Sequence, residues 1–389
     1  MPLIWELTAE FRRWLPSDKL LQFNQNWQSQ GGGWQKSVID KFVQLLENKE
    51  LHYEQIVGAL EVEYLRESDP SVKQNFHNAL GFVLQTIYGL LLERQVKNTN
   101  YSIDVLNDFS NLEMLVRNNK PLWIFSLNHD LIIEMLAAKL EIPLKSGFND
   151  KTTIRMSGNG IDWQEVNFER LLRSDIANHN YDFFKEGETG INLVKMHGSL
   201  DIFAQGDDIN YLKLSPAKLD PSEYTTTLSR INEINHEFIS STKIVCTNES
   251  VYLDENKTLQ FLRKTLLSGA HKFSKKLAQL APPEFLQLFE NKINSFNELI
   301  CIGYSFGDKH TDHIIIEWLT SERERLLSII NPTIENSPTH FVHLHAQVNC
   351  QTVGAADYFL DLDRSKDSTT RRIMRQIRNS RRIDVMKSI

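Results

Sequence analysis

Cysteine is scarce in these 389 residues: Cys246, Cys301 and Cys350 are the three present. An odd set, so widely spaced, excludes a disulfide framework. No pair has the two-residue spacing of a zinc knuckle, so no structural zinc and no metal site is expected. Long apolar runs are also lacking. No window reaches the roughly eighteen uninterrupted apolar residues of a membrane helix. Between Met1 and Leu15, Glu6 and Glu10 stand where a signal peptide would be apolar. The expectation is a cytoplasmic protein with no membrane partner. Basic charge is in deficit as well. The net charge is −7, and the stretch from Lys366 to Ile389 alone carries +6, which leaves −13 on the rest. An acidic body is a poor general binder of nucleic acid, so none is expected as a direct partner.

What is present is an ordinary globular composition, 41% hydrophobic, in a chain long enough for two or three domains. From about Trp34 to Leu115 apolar residues recur at three and four, as in Ser37 to Leu46, His52 to Arg66 and Val72 to Val96. Ser68-Asp69-Pro70 is a helix-start signal between the last two. Gly31-Gly32-Gly33 reads as a hinge, since no Lys-Ser/Thr pair follows at phosphate-loop spacing. This predicts a helical insertion over 34–118.

The pattern changes at Pro121 to Ser126, a short apolar run ending in polar residues and followed by a helical stretch from Leu131 to Leu140. Ile191 to Met196 and Glu298 to Ile302 begin in the same way, and the second leads to a helix over about 312–326. His340 to His345 alternates and reads as a further strand. Strands alternating with helices predict an α/β fold, a Rossmann-like doubly wound parallel sheet carrying the helical insertion. Such sheets bind ligands beyond the carboxyl ends of their strands.

Three polar clusters fall at those ends. Asn128 and Asp130 follow the first strand, where they either cap the next helix or project into a crevice. His197-Gly198-Ser199 follows the second. Its His is either structural or a general base near neutral pH, and its Gly admits close backbone approach. Gly303 to His310 follows the third and suits a phosphate or ribose at a helix start. Its first five residues also match Gly-x-Ser-x-Gly, the pattern of a nucleophile elbow. That reading needs an acid and a His later in the chain, and His343 and His345 read as lying inside a strand. Asp308, His310, Asp312 and His313 read as a polar helix start rather than a metal cluster.

In order, spacing and strand context the three clusters resemble the sirtuin family. Ser126-Leu127-Asn128-His129-Asp130 looks like its Thr-x-Asn-x-Asp segment, His197-Gly198-Ser199 like its His-Gly-Ser segment, and Gly303-Tyr304-Ser305 like its late Gly-x-Ser turn. The longer run Gly303 to His310 is similar to that of bacterial sirtuin-like defence proteins. The resemblance spans about Pro121 to His345, together with Met1 to Leu15. It implies NAD as substrate and cleavage of the nicotinamide–ribose bond. Asn128 would hold the attacking water and the ribose, Asp130 the nicotinamide amide, and His197 would accept a proton. Ser126, Gly198, Ser199, Gly303, Ser305, Asp308 and His310 would line the rest of the dinucleotide.

Two departures sharpen what the resemblance implies. The zinc-ribbon cysteines of deacylating sirtuins are absent between the second and third clusters, where Asp254 to Phe296 reads as helical. This disfavours protein deacylation and favours hydrolysis of NAD. The family's opening strand and Gly-rich phosphate loop are also absent, although Met1 to Thr8 looks like the segment that follows them. The expectation is therefore that residues 1–33 open the sirtuin-like core, that 119–349 complete it, and that a short upstream segment carries the strand and loop. Residues 350–389 form a basic tail, read as a helix packed on the acidic body or as a contact for a partner. By resemblance the chain is a homo-oligomeric antiphage effector, with a hexameric ATPase as a possible partner. The alternative is a non-catalytic sensor of NAD or ADP-ribose.

Overall fold

The computed structural model describes residues 4–158, 162–206, 210–242, 246–266, 282–363 and 367–387. Among the described residues seven α-helices come first: α1 (Ile4–Trp14), α2 (Ser17–Gln28), α3 (Lys36–Glu47), α4 (Tyr53–Arg66), α5 (Pro70–Lys97), α6 (Thr99–Val105) and, after a 3-10 turn at Leu106–Phe109, α7 (Leu112–Asn118). The predicted start of α5 is found as expected. The Asp69 carboxylate accepts from the Ser71 and Val72 amides at 2.8 and 3.0 Å, and Pro70 takes the first turn, where its missing N–H costs nothing. α1 packs on α4 and α5, and α2 on α3, so residues 4–28 lie within this helical layer. Phe11, Leu20, Trp34, Phe42 and Ile56 are buried there.

The expected parallel strands follow, in two three-stranded pieces. The first has the order β1 (Leu122–Ser126), β5 (Ile191–Lys195), β2 (Leu144–Lys145), with α8 (Ile132–Lys139) crossing from β1 to β2. The second has the order β10 (Glu298–Ile302), β11 (Leu326–Ile330), β12 (Val348–Gln351), with α12 (Lys309–Ser321) between β10 and β11. Between the two lie β3 (Asp150–Met156), β4 (Gln164–Leu172), α9 (Arg173–Ala177), β6 (Ile202–Gln205), β7 (Asn210–Leu214), α10 (Pro221–Thr242), β8 (Glu249–Leu253), β9 (Leu259–Lys264) and α11 (Glu284–Ile293). Strands β3, β4, β7, β6, β9 and β8 form, in that order, one antiparallel sheet that the sequence reading did not anticipate. The chain ends with α13 (Ala355–Leu362) and α14 (Thr369–Lys387).

The period of two along β5 shows why the fold is α/β. Ile191 and Leu193 enter one core with Leu131, Met135 and Leu136 from α8 and the turn before it. Val194 and Met196 enter the other with Phe285 and Phe289 of α11 and Ile315 and Trp318 of α12. β1 divides in the same way, Leu122 and Ile124 to the first core, Trp123 and Phe125 to the second. Parallel strands covered by helices on both faces are the expected architecture.

Two local expectations are overturned. Asp254 to Phe296 is not one helical segment. Leu259–Lys264 is strand β9, paired with β8 and β6, and only Glu284–Ile293 within the range is helical among the described residues; 267–281 lie outside them. His340 to His345 is no strand. Thr339–Gln347 is 3-10 helix, which buries Phe341 and leaves Val342 about half exposed, and the strand begins at Val348. α14 does pack on the acidic body: Arg375 is buried against Asp367 at 2.8 Å and Asp357 at 3.2 Å, and Arg378 pairs with Asp108. Among the described residues no helix is long and apolar enough to cross a membrane.

Candidate functional site

Parallel pairing sets Ser126 beside Lys195, so the turns after β1 and β5 leave the sheet at one level. The Ser126 carbonyl accepts from the Met196 amide at 3.0 Å, which extends the ladder one step past the strands. Ser126 is buried, and its hydroxyl accepts from the Asn128 amide at 3.1 Å, an ST-turn that rotates the Asn128 side chain outward, where the residue is exposed. Asp130 is buried and its Oδ1 accepts from the Ile132 amide at 3.0 Å. Asp130 thus satisfies the first amide of α8 from the position before its N-cap residue, Leu131, and Asn128 does not.

The second turn interlocks with the first. The His129 carbonyl accepts from the Leu200 amide at 2.9 Å and from the Ser199 hydroxyl at 3.2 Å. Ser199 is fully buried, so its hydroxyl serves the fold. Gly198 has φ +76, and a Cβ built on it would lie 1.8 Å from the Thr265 carbonyl oxygen, at the end of β9. Only glycine fits there. The third turn joins through His197, whose Nε2 stands 3.1 Å from Asp308 Oδ2, with both side chains less than a tenth exposed. The other Asp308 oxygen accepts from the His310 and Thr311 amides, each at 3.1 Å, and so caps α12. One carboxylate therefore caps a helix and faces the imidazole.

Tyr304 braces this turn. Its hydroxyl donates to Asp312 at 2.6 Å and accepts from the Asp308 amide at 3.3 Å. Burial, and then Asp312, push the Tyr304 phenol above its ordinary range, and burial raises the Asp312 carboxyl. Gly303 has φ +69 with no atom within 4 Å of a built Cβ, so its open side can admit a ligand against the backbone. Gly303, Ser305 and His310 are exposed.

Of the sequence-selected residues, the structure brings His197 and Asp308 into contact and sets Ser126, Asn128, Asp130, Gly198 and Ser199 in the interlocked turns beside them. Gly303, Ser305 and His310 stand on the Asp308 turn. The Ser305 turn does not have the build of a nucleophile elbow. The left-handed non-glycine residue is Phe306, not Ser305, and the helix begins only at Lys309. Among the described residues no group of three or more His, Cys, Asp or Glu is arranged to hold a metal ion, and His313 pairs instead with Glu317 at 3.2 Å.

Sequence reasoning gave no role to Lys195, which opens the second cluster. It is the one charged residue in a fully buried strand, and its Nζ stands 3.3 Å from the Asn128 carbonyl, hydrogen-bonds the Asp130 carbonyl and faces Glu134 at 3.5 Å. A lysine inside an apolar run was the available signal, because such a group is buried only when paired. Comparison with protein-family models and with curated proteins gives no match for this chain.

Proposed function

We propose that the chain binds NAD across the turns that follow β1, β5 and β10 and hydrolyses its nicotinamide–ribose bond. One observation carries this reading: the 3.1 Å approach of His197 to Asp308, beside an exposed Asn128, at the carboxyl ends of parallel strands. The C–N bond breaks with its electron pair leaving on nicotinamide, which departs neutral. The ribose carbon gains oxocarbenium character, and fixed dipoles around it lower that barrier. A water held by the Asn128 amide adds to the carbon, and His197 takes its proton while Asp308 stabilises the imidazolium. The products are ADP-ribose, nicotinamide and a proton.

By its resemblance to bacterial defence proteins the reading extends to a cytoplasmic, homo-oligomeric effector that depletes NAD, with a hexameric ATPase as a candidate partner. A second reading, a subunit that binds NAD or ADP-ribose without cleaving it, is favoured by Asp130. Its carboxylate is buried and already engaged with the Ile132 amide. Incubation with NAD and chromatography of the products, alongside calorimetry, separates the two. Cleavage is expected, reduced about a hundredfold or more by His197→Ala or Asn128→Ala. At exposed Asn128 the change in stability should stay within about 0.5 kcal/mol. Binding without ADP-ribose release selects the sensor; neither binding nor release sinks both.

A further inference from the structure

Behind the Asn128 turn lies a buried ionic chain with no counterpart among the sequence motifs. Lys195 faces Glu134 of α8 at 3.5 Å, Glu134 faces Lys213 of β7 at 3.0 Å, and Lys213 faces Asp201 at 2.6 Å. All four are less than a twentieth exposed. Two ammoniums and two carboxylates sum to zero, so the chain is neutral as a unit. Burial by itself would raise the Glu134 carboxyl, but Lys195 and Lys213 reverse this and hold it below the usual carboxylate range. Burial would lower Lys213, and Asp201 and Glu134 instead hold it above an ordinary lysine.

Apolar side chains of similar volume would stabilise such a place as well or better, so stability is a poor account of the chain. Its geometry suggests another. Lys195 continues the Ile191 and Leu193 face of β5 towards α8, and its ammonium reaches the carbonyls of both Asn128 and Asp130. Two residues on, the same strand delivers His197. We propose that Lys195 is a positioning residue, which clamps the turn bearing Asn128 to the strand bearing His197, with Glu134, Lys213 and Asp201 holding its ammonium in place. The consequence for rate rests on the NAD-cleaving reading above; the clamp itself does not. A methionine would fill the space but supply no donor to either carbonyl.

The test uses the full chain with Lys195→Met and, should that variant not fold, Glu134→Gln, which keeps the acceptor for Lys213. Hydrogen exchange at amides 127–131 is compared with that of α5, and kcat and KM for NAD are measured. In Lys195→Met, exchange in the turn should rise about tenfold or more while α5 is unchanged. kcat should fall about a hundredfold with KM within about threefold, the signature of a misplaced group rather than a lost substrate contact. Glu134→Gln should show the same pattern at smaller amplitude. Unchanged turn exchange in a folded variant, exchange that rises equally throughout, or full kcat in a variant of an NAD-cleaving parent each overturns the proposal. A parent that never cleaves NAD defeats the functional reading alone, and the exchange comparison still decides the clamp.

Discussion

Gly198 and Gly303 both have left-handed backbones at strand ends, and alanine at each should have different consequences. At Gly303, φ is +69 and nothing lies within 4 Å of the added methyl. The cost is that of the left-handed conformation alone, about 1–2 kcal/mol. At Gly198 the same conformational cost applies, and the methyl would also sit 1.8 Å from the Thr265 carbonyl oxygen. Thr265 cannot simply retreat: it is fully buried and its hydroxyl donates to the Ile202 carbonyl at 2.8 Å. Overpacking of this kind adds about 1–3 kcal/mol, for a total of about 2–5 kcal/mol. Urea unfolding of Gly198→Ala and Gly303→Ala beside the parent measures both. Gly303→Ala should hold its stability within about 2 kcal/mol yet weaken NAD binding, because the methyl fills the open face of the turn. Equal destabilisation by the two substitutions, or a loss below about 1 kcal/mol at Gly198, would refute the argument that β9 backs the His197 turn.

Lys264, fully buried above the Tyr88 ring at 4.7 Å, carries a second prediction. Burial lowers its ammonium from 10.5 to about 8. Between those values the unfolded chain binds more protons than the folded one, so stability rises with pH across that window. Below pH 8 the full penalty is present, about 3 kcal/mol, against which the ring returns about 1 kcal/mol. Lys264→Met should therefore raise the urea midpoint at pH 7, and the gain should shrink as pH climbs from 8 to 10.5. A gain independent of pH would exclude the titration. Asp308→Asn keeps an acceptor for the α12 amides and removes the charge beside His197. NAD cleavage should drop at least tenfold while thermal stability moves by no more than about 0.5 kcal/mol, since Asn caps as well as Asp. Asp308→Ala, which loses the cap too, should cost about 1 kcal/mol more in denaturation.

The parts legible in the sequence are those where local pattern and tertiary demand agree. β1 and β5 in one parallel sheet and β10 in the other read as near-continuous apolar runs, and the polar residues that end them mark the strand ends. Asp69-Pro70 announced α5 because capping is a local interaction. β9 was missed because its alternation is inverted: Leu262 and Lys264 are buried while Phe261 is over a third exposed. An inward lysine in a strand that carries its aromatic outward defeats any pattern based on polarity. His340 to His345 alternates well enough to imitate a strand, but it folds as 3-10 helix, in which Phe341 is buried and Leu344 packs partly against the same core. At the site, sequence order located the three turns. It could not show that Asp308 meets His197, nor that Lys195 grips the turn before α8, since both depend on distances set by residues about 65 to 110 positions apart in a packed fold.

The antiparallel sheet carries no recognisable signature, yet it supports the motif-bearing turns from behind, through Lys213 and Asp201 on one flank and the Thr265 carbonyl on the other. On the proposed NAD-cleaving reading, damage to turnover would therefore originate well away from the turns that would meet substrate. A search for inactivating substitutions in this chain should find a second population of them in the plain stretch from Asp201 to Thr265, recognisable because it alters rate without altering the chemistry displayed at the rim.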